Sequence, residues 1–479
     1  EEIQRVNPFD WQRAFPHVFA AGGFDAVIGN PPYVRIQKMK EWGTGQIDYL
    51  KKSFQSASKG NYDVYVVFIE KGTTLLNSNG LLGFILPNKF FTSNYGEPLR
   101  EFLSVDQTVD KIINFGNLQV FKSATTYTCL LFLSRSKNAA FDYQKVYDLQ
   151  TWILNNQVKS EEIDSGSINK DPWTFIPANE NGLFTKLNQI PLKLGDISNL
   201  FVGLQTSADP VFLFKNSNKE KGEFSTVNSK SLSMNFELEN YLLKKVIRSG
   251  QIGRYWANPN ALVLFPYKFV DKRATLISPK ELQSTFPKVW HYLNENRKTL
   301  LERENGKFKS TGWYQLYPKN LDLWEQPKVL IPYMVTRLAA YFDQEDYYFV
   351  NVTTGGFGLT LNNSGISLWY ITALLNSKLL NWYFVRTSSP FHGGYFAANK
   401  QYLVSLPVIL PKRDNEEHIE EIIKNAKKIT ELQKSTPITP LEMQNRDRAV
   451  DTLDSTTDRL IYVLYGLTDK EIRIVEGND

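Results

Sequence analysis

Residues 24–150 alternate apolar runs with amphipathic stretches, and this order constrains the fold more than any other feature of the chain. "FDAVIGN" and "GLLGFILP" have the pattern of buried strands, and the second is closed by Pro87. Between them, "NYDVYVVFIEKGTTLL" has the period of a helix with Asp63 in its first turn. A helix around "GEPLREFLS" and the strands "VDKIINFG" and "TTYTCLLFLS" follow. Strand–helix units that end in a hairpin predict an α/β fold with a mostly parallel sheet and helices on its faces.

The start of this sheet lacks a feature that complete nucleotide-binding sheets carry. A doubly wound sheet places a G-x-G-x-x-G turn after its first strand, and no strand followed by that motif precedes position 24. We therefore expect residues 1–150 to form the second half of a Rossmann-like sheet.

Beyond this region the pattern changes twice. From about residue 180, short β-like runs are separated by Gly, Pro and Asn, and one helical stretch, "SLWYITALLNSKLLNWYFV", interrupts them. We expect residues 151–410 to form an α+β domain. Residues 411–479 form a helical tail, in which Thr468 and Glu471 predict a capping box for a last short helix.

The composition excludes several classes of protein. The single cysteine, Cys129, lies in the apolar run "TCLLFL" and cannot form an internal disulfide, so we interpret it as a small buried hydrophobe. The four histidines are far apart in sequence, and we expect no metal site. The sequence has neither a membrane-spanning apolar run nor the pattern of a signal peptide, which predicts a cytoplasmic location.

The charge and the aromatic content permit a polyanion partner without requiring one. The net charge is +5 and the aromatic fraction is 14%. A basic chain rich in aromatic residues can stack on bases, and a large core with surface tyrosines accounts for the same composition.

Asn30, Pro31, Pro32 and Tyr33 follow the first predicted strand, at the edge where open α/β sheets bind ligands. The amide oxygen of Asn30 is a hydrogen-bond acceptor, and the prolines can hold the Pro31 carbonyl outward as a second one. Two acceptors on one amino group localise the nitrogen lone pair, so that the nitrogen can attack a methyl sulfonium. Tyr33 offers a flat face for a planar substrate. The alternative is a simple strand-terminating turn, because these residue types are common in turns.

The segment "NPFDWQRAFPHVFAAGGFDAVIGNPPYVR" resembles the catalytic-motif region of gamma-class adenine-N6 DNA methyltransferases, particularly the fused type IIG restriction-modification enzymes. This resemblance implies S-adenosylmethionine as the methyl donor, double-stranded DNA as the partner and a target adenine flipped out of the duplex. It implies a catalytic role for Asn30, Pro31, Pro32 and Tyr33 in a prokaryotic restriction-modification or related phage-defence system.

The resemblance continues along the chain. "INFGNLQVFKSATTYTCLLFLSR" is similar to the motif that supplies a second aromatic residue for the flipped base, and Phe121 matches that aromatic; a buried core Phe is the alternative. "KVLIPYMVTRLAAYFD", "LLNSKLLNWYF" and "GGYFAANKQYLVSLPVILP" are similar to a TaqI-like target recognition domain. The resemblance therefore implies DNA contacts in these segments and in the loop after the catalytic motif, and the candidate residues are Arg35, Lys38, Lys40, Arg337, His392, Tyr395 and Lys400. Solvated basic or polar surface is the alternative for each.

The family's cofactor motifs come before Asn-Pro-Pro-Tyr, and this sequence does not show them. We therefore expect the C-terminal part of a longer enzyme, or one piece of a split one, inactive without its N-terminal half or partner subunit. The cofactor-binding residues stay unknown, and nothing in the chain indicates a nuclease. The alternatives are a DNA-specificity subunit without catalysis, a protein glutamine N-methyltransferase, and a cytosine-N4 methyltransferase, which the Asn at position 30 disfavours.

Overall fold

The computed structural model describes residues 9–39, 44–121, 126–155, 160–177, 179–215, 222–248, 250–310, 312–351, 355–362 and 365–477. The chain divides into two compact units. The first comprises Glu1–Asn181 together with Ser389–Gly393, and the second comprises Gly182–Ser388 and Gly394–Asp479. The domain ranges predicted from the sequence stay predictions.

The first unit is built on one sheet of six strands in the spatial order β1-β2-β4-β3-β5-β6. The strands are β1 (Phe24–Gly29), β2 (Leu76–Pro87), β3 (Val109–Asn114), β4 (Thr128–Ser134), β5 (Ala140–Lys145) and β6 (Glu161–Asp164). The pairs β1·β2 and β3·β5 are parallel, whereas β4 runs antiparallel between β2 and β3, and β6 is antiparallel to β5. The α/β class and the predicted hairpin of β3 and β4 are confirmed. The prediction of a mostly parallel sheet was wrong: β4 and β6 run opposite to the other four strands, so three of the five strand pairs are antiparallel and the sheet is mixed.

The helices of the first unit are α1 (Trp11–Ala14), α2 (Pro16–Ala20), α3 (Ile36–Met39), α4 (Thr44–Ser53), α5 (Tyr65–Thr74), α6 (Glu97–Val105) and α7 (Leu149–Asn155). Helices α5 and α6 confirm two predicted helices. The placement of Asp63 in the first turn of α5 was wrong, since Asp63 precedes the helix and forms an antiparallel bridge with Arg35. Apolar residues of α5, α6 and the sheet make one core, which includes the buried Cys129.

The second unit contains several small sheets. Two of them have four strands, in the orders β20-β11-β14-β8 and β19-β17-β21-β7. The strands are β7 (Ser198–Val202), β8 (Leu213–Lys215), β9 (Phe224–Ser229), β10 (Met234–Glu239), β11 (Leu243–Ile247), β12 (Ile252–Gly253), β13 (Trp256–Ala257), β14 (Ala261–Leu264), β15 (Tyr267–Val270), β16 (Arg273–Leu276), β17 (Lys328–Pro332), β18 (Met334–Val335), β19 (Tyr341–Asp343), β20 (Tyr348–Phe349) and β21 (Gly356–Leu361). Two short strands follow: β22 (Pro390–Phe391), in the segment counted with the first unit, and β23 (Tyr395–Ala397).

Helices complete the second unit: α8 (Asn181–Asn188), α9 (Leu194–Ile197), α10 (Asp209–Phe212), α11 (Pro279–Thr285), α12 (Pro287–Glu295), α13 (Arg297–Gly306), α14 (Leu368–Asn376), α15 (Lys378–Thr387), α16 (Lys400–Leu403), α17 (Glu416–Lys434), α18 (Pro440–Leu464) and α19 (Asp469–Glu476). The single helix predicted for "SLWYITALLNSKLLNWYFV" was wrong, because α14 and α15 are separated at Ser377. The predicted capping box of Thr468 and Glu471 is confirmed at the start of α19.

Two hydrophobic cores hold the second unit together. One is formed by β-strands and helices of residues 201–350, and the other joins α14 and α15 to the tail helices α17, α18 and α19. The apolar side chains Ile419, Ile422, Ala426 and Ile429 of α17 recur at helical spacing and are buried. The helical tail is therefore part of the packed second unit.

Candidate active site

The carboxyl ends of β1, β2 and β3 lie along one edge of the first sheet, since these strands point the same way. Each of them ends at an asparagine: Asn30 follows β1, Asn88 follows β2, and Asn114 is the last residue of β3. Gly29 permits close packing of the Phe84 ring from the neighbouring strand, because a Cβ at this position would lie 2.9 Å from Cε1 of Phe84.

These three asparagines differ in their hydrogen bonding. Asn88 Nδ2 donates to Asn114 Oδ1 at 3.0 Å and to the Gly116 carbonyl at 3.1 Å. Asn114 Oδ1 also accepts from Gly116 N, and its Nδ2 donates to the Tyr143 hydroxyl. The side chain of Asn30 is exposed and has no hydrogen-bond partner in the part of the chain that the structure describes. Asn30 is therefore the asparagine of this edge whose amide is available to a ligand.

Tyr33 is half-buried and its ring has a fixed orientation. The hydroxyl donates a 3.0 Å hydrogen bond to the Ile85 carbonyl of β2, and the ring packs against the core of the first unit. Burial, and then the proximity of Cys129, raise the pKa of Tyr33 to about 12, so the hydroxyl keeps its proton near neutral pH. Next to it, Pro31 is buried and Pro32 is exposed.

Phe121 comes close to Tyr33 although a long stretch of sequence separates them. Their ring centroids are 6.4 Å apart, with the planes tilted by 56°. The Asn88–Asn114 hydrogen bonds fix the start of the loop that carries Phe121, because they engage both the N–H and the carbonyl of Gly116. Phe121 is half-buried, so its ring is only partly covered by the protein.

The segment after the motif is held by the residues that precede α5. Val64 N donates to the Val34 carbonyl at 2.9 Å, and Ile36 N donates to the Tyr62 carbonyl at 3.0 Å. These bonds leave Arg35 and Lys38 exposed beside the motif. Lys40 lies outside the described residues.

A second stretch of chain, Ser389–Gly393, is counted with the first unit and lies near the Phe121 loop. Asn117 Nδ2 donates to the Phe391 carbonyl at 3.1 Å, and the rings of Tyr127 and Phe391 are 6.3 Å apart and nearly perpendicular. Neither this stretch nor Asn88 and Asn114 is among the site residues predicted from the sequence. An asparagine directly after the predicted strand "GLLGFILP" is the signal that marks Asn88, whereas Asn114 lies inside the predicted strand "VDKIINFG" and has no such signal.

The other predicted DNA-contacting residues have varied surroundings. Arg337 is half-buried and donates to the Asn376 carbonyl at 3.2 Å, and burial, followed by the charge of Arg254, lowers its pKa. Lys400 Nζ donates to the Leu200 carbonyl at 2.9 Å. Tyr395 is 44% exposed on β23. The side chain of His392 lies outside the described part of the structure.

No cluster of potential metal ligands occurs among the described residues. Within the same residues, no helix has the length and apolar character needed to cross a membrane.

Comparison with protein families identifies two matching segments. Residues 1–121 match the Eco57I restriction-modification methylase family, and residues 278–408 match the TaqI-like C-terminal specificity domain. The chain therefore combines an Eco57I-type methylase domain with a TaqI-like specificity domain, as in a type IIG-like methyltransferase with a target recognition domain. The resemblance predicted from the sequence is confirmed.

Individual relatives are type II restriction-modification proteins. The type II restriction enzyme and methyltransferase RM.Eco57I of Escherichia coli is 29% identical over 429 residues, which cover 85% of this chain and 42% of that protein. The type II methyltransferase M.BanIII of Aneurinibacillus aneurinilyticus is 23% identical over 439 residues, which cover 84% of this chain and 72% of that protein. The chain thus spans less than half of the length of RM.Eco57I.

One solved structure shares the fold over most of the chain. The type IIL restriction-modification enzyme MmeI, determined in complex with DNA, superimposes with a TM-score of 0.61 at 13% identity, covering 94% of this chain and 56% of that one. This similarity supports the mixed α/β architecture.

Proposed function

We propose that this chain is the base-binding and sequence-reading part of a DNA methyltransferase that transfers a methyl group from S-adenosylmethionine to N6 of a flipped adenine. Its setting is a restriction-modification system in the cytoplasm of a prokaryote. The type II methyltransferase relatives support the general activity, and the choice of adenine N6 rests on the residues of the motif.

The amide of Asn30, which has no hydrogen-bond partner among the described residues, is the observation that carries the proposal. Its oxygen and the Pro31 carbonyl supply two acceptors for the two hydrogens of an exocyclic amine. An amine bound this way has its lone pair localised on nitrogen and directed away from the base ring. The side chains of the neighbouring Asn88 and Asn114 are hydrogen-bonded to each other, so neither of them engages the amide of Asn30.

Tyr33 and Phe121 would hold the base that carries this amine. Two rings that sandwich a planar base lie about 7 Å apart, twice the contact distance of roughly 3.5 Å between carbon atoms. The observed centroid distance of 6.4 Å is close to that spacing, so a change of ring tilt rather than a large displacement admits the base. The Tyr33–Ile85 hydrogen bond reduces the entropy cost of stacking on Tyr33, because the ring is already oriented.

S-adenosylmethionine, when bound, supplies the electrophilic methyl group. The acceptors at Asn30 and Pro31 fit the amine that receives this group, and we assign no residue of this chain to the binding of the cofactor itself. Among the described residues β1 is an edge strand, and its Ile28 is 87% exposed. This exposed apolar edge is consistent with additional strands that pair with β1 and bind the cofactor. We propose that an N-terminal half or partner subunit covers this edge, and that the chain without it does not methylate DNA.

The second unit supplies the choice of DNA sequence in this proposal. The match of residues 278–408 to a TaqI-like specificity domain supports this division of labour. The exposed Arg35 and Lys38 remain candidates for phosphate contacts beside the motif. Direct base contacts by Arg337, His392, Tyr395 or Lys400 remain part of the proposal.

Substitution of Asn30 in the complete enzyme, with its cofactor-binding part present, tests the function. Asn30→Ala is expected to slow transfer of a tritiated methyl group into DNA on the order of 100-fold or more while DNA affinity changes by only a few fold, because the acceptor acts mainly in the transition state. Asn79→Ala is the matched control, since Asn79 is an exposed asparagine in the amino-terminal part of β2. Near-normal turnover of Asn30→Ala would refute the assignment. A complete enzyme that binds DNA without transferring methyl groups would instead indicate a specificity subunit.

A further inference from the structure

The positive charge of the chain is concentrated in one part of the second unit. Residues 240–320 contain fifteen lysines and arginines and five carboxylates, whereas the whole chain has a net charge of only +5. The rest of the chain is therefore net negative. In the tail, residues 411–479 contain eleven basic and fifteen acidic residues. This asymmetry makes residues 240–320 the part of the second unit that is electrostatically most favourable to a polyanion.

Several of these basic residues are already engaged within the protein. Lys244 pairs with Glu325, Lys268 with Glu281, Lys288 with Glu237, and Arg254 with Asp454. The exposed Lys298, Lys307, Lys309 and Lys319 differ from them, because the described part of the chain places no carboxylate within ion-pair distance of their ammonium groups. These four lysines lie within residues 297–319, which we call the basic platform.

Hydrogen bonds of the buried Arg303 side chain stabilise the backbone of the basic platform. The guanidinium donates to the carbonyls of Thr206, at 2.7 Å, and of Trp313, at 3.0 Å, as well as to that of Gln315. It also lies 4.2 Å from the ring centroid of Phe308. One buried cation thus connects the end of α13 to the segment around residue 315, so the surface lysines lie on a constrained backbone.

The turn that presents the lysines has an unusual backbone. Glu304 and Asn305 have φ angles of 49° and 55°, and Gly306 follows with φ of 80°. Residues other than glycine adopt this left-handed region at a cost, and such strain is concentrated at functional sites. Beyond the turn, Lys307 Nζ donates to the Tyr317 hydroxyl at 2.8 Å, which places this ammonium beside the segment leading to Lys319.

We propose that the basic platform contacts the phosphate backbone of duplex DNA. This inference rests on the proposed function. It adds a DNA-contacting surface whose residues are not among the candidates predicted from the sequence. Arg337 and Lys400 each donate to a backbone carbonyl, whereas Lys309 and Lys319 make no side-chain hydrogen bond within the described residues. Contacts made through ammonium groups to phosphates add affinity for every DNA sequence and carry no base information.

Neutralisation of three platform lysines in the 479-residue chain tests the inference. Lys307→Gln, Lys309→Gln and Lys319→Gln together are expected to weaken binding to several unrelated duplexes of about 30 base pairs by the same factor in fluorescence anisotropy titrations. Between about 50 and 200 mM salt, the slope of log affinity against log salt should flatten by about 0.9 for each phosphate that the variant no longer neutralises. The matched control changes Lys424, Lys427 and Lys428 to Gln on α17, which removes the same charge from exposed positions of the acidic tail.

The possible results separate the inference from the proposed function. A flatter slope in the platform variant, with an unchanged control, supports the inference. Equal reductions of affinity in both variants indicate a general charge effect and overturn it, as does an unchanged slope in the platform variant. If the platform variant binds like the wild type while the complete enzyme still methylates DNA, only the inference fails. A wild-type chain that binds no duplex overturns the inference, and the methyl-transfer assay then decides the function separately.

Discussion

At the scale of single residues, the tyrosine of the motif combines two properties that other aromatic residues would not. The centroid of its ring lies 6.4 Å from that of Phe121, and its hydroxyl anchors the ring to the Ile85 carbonyl. The pKa of Tyr33 is raised to about 12, so the hydroxyl stays a hydrogen-bond donor at neutral and mildly alkaline pH. Stacking and anchoring can therefore be separated by substitution.

We expect Tyr33→Phe and Tyr33→Ala to behave differently in the complete enzyme. Tyr33→Phe keeps the ring and removes one hydrogen bond, worth about 0.5 to 1.5 kcal/mol of stability. Tyr33→Ala and Phe121→Ala should each weaken capture of the flipped base by about 1 to 3 kcal/mol. The fluorescence of 2-aminopurine at the target position measures this capture. A signal in Tyr33→Phe that falls to the level of Tyr33→Ala would contradict a stacking role.

The position of the motif at the carboxyl end of a strand could be predicted from the sequence, whereas the hydrogen bonds around it could not. Asn30 and Tyr33 are close in sequence, and a strand followed by two prolines restricts the backbone enough to place them at the edge of a sheet. The mutual hydrogen bonds of Asn88 and Asn114 depend on the register of β2, β4 and β3, which the sequence does not reveal. The proximity of Phe121 to Tyr33 was expected only through the family resemblance.

At the scale of elements, the junction between α14 and α15 links the middle of the second unit to the tail. The apolar periodicity continues across Ser377, so the sequence predicted one helix. The Ser377 hydroxyl instead accepts from Leu380 N at 3.2 Å and starts α15 as a separate helix. From α18, Asp458 Oδ1 accepts from Lys378 N at 2.9 Å. The hydrogen bonds of the Ser377 and Asp458 side chains mark the break between α14 and α15, which the apolar periodicity does not show. In α17, by contrast, the buried residues agree with the helical period of the apolar positions.

Asp458 should make the stability of the second unit depend on pH. Burial, together with the charge of Asp454, raises its pKa to about 6, although Lys378 N, Arg337 and Arg254 oppose the shift. The folded chain therefore retains a proton at pH values where the unfolded chain, with an ordinary aspartate pKa near about 3.9, has released it. The contribution of Asp458 to the free energy of unfolding is highest below about pH 4 and falls by about 3 kcal/mol as the pH rises through about 6.

Urea unfolding of the wild type and Asp458→Asn at about pH 4 and pH 7 measures this effect. The variant keeps an acceptor for Lys378 N without the buried charge, so its stability advantage over the wild type should grow by up to about 3 kcal/mol between the two pH values. Asp447→Asn, which changes an aspartate in the exposed part of the same helix, is the matched control. A difference between wild type and Asp458→Asn that stays constant with pH would contradict the assigned role of this carboxyl.

At the scale of the whole molecule, the two units carry separate parts of the proposed reaction. The first presents Asn30, whose side chain has no hydrogen-bond partner among the described residues, and the Tyr33–Phe121 pair. The second carries the specificity domain and all of the excess positive charge. The net charge of +5 does not reveal this asymmetry, because the negative charge of the acidic tail partly cancels the positive charge of residues 240–320. The domain order predicted from the change of sequence pattern near residue 180 stays a prediction. The inclusion of Ser389–Gly393 in the first unit depends on long-range contacts that no local pattern encodes.

Identification of the methylated base tests the central claim most directly. The complete enzyme is incubated with unmethylated genomic DNA and S-adenosylmethionine that carries a deuterated methyl group, and the digested DNA is analysed by mass spectrometry. We predict that the label appears in N6-methyladenine of the DNA, and that Asn30→Ala abolishes it while Asn79→Ala does not. Label in N4-methylcytosine, or no label in the DNA at all, would contradict the proposed reaction.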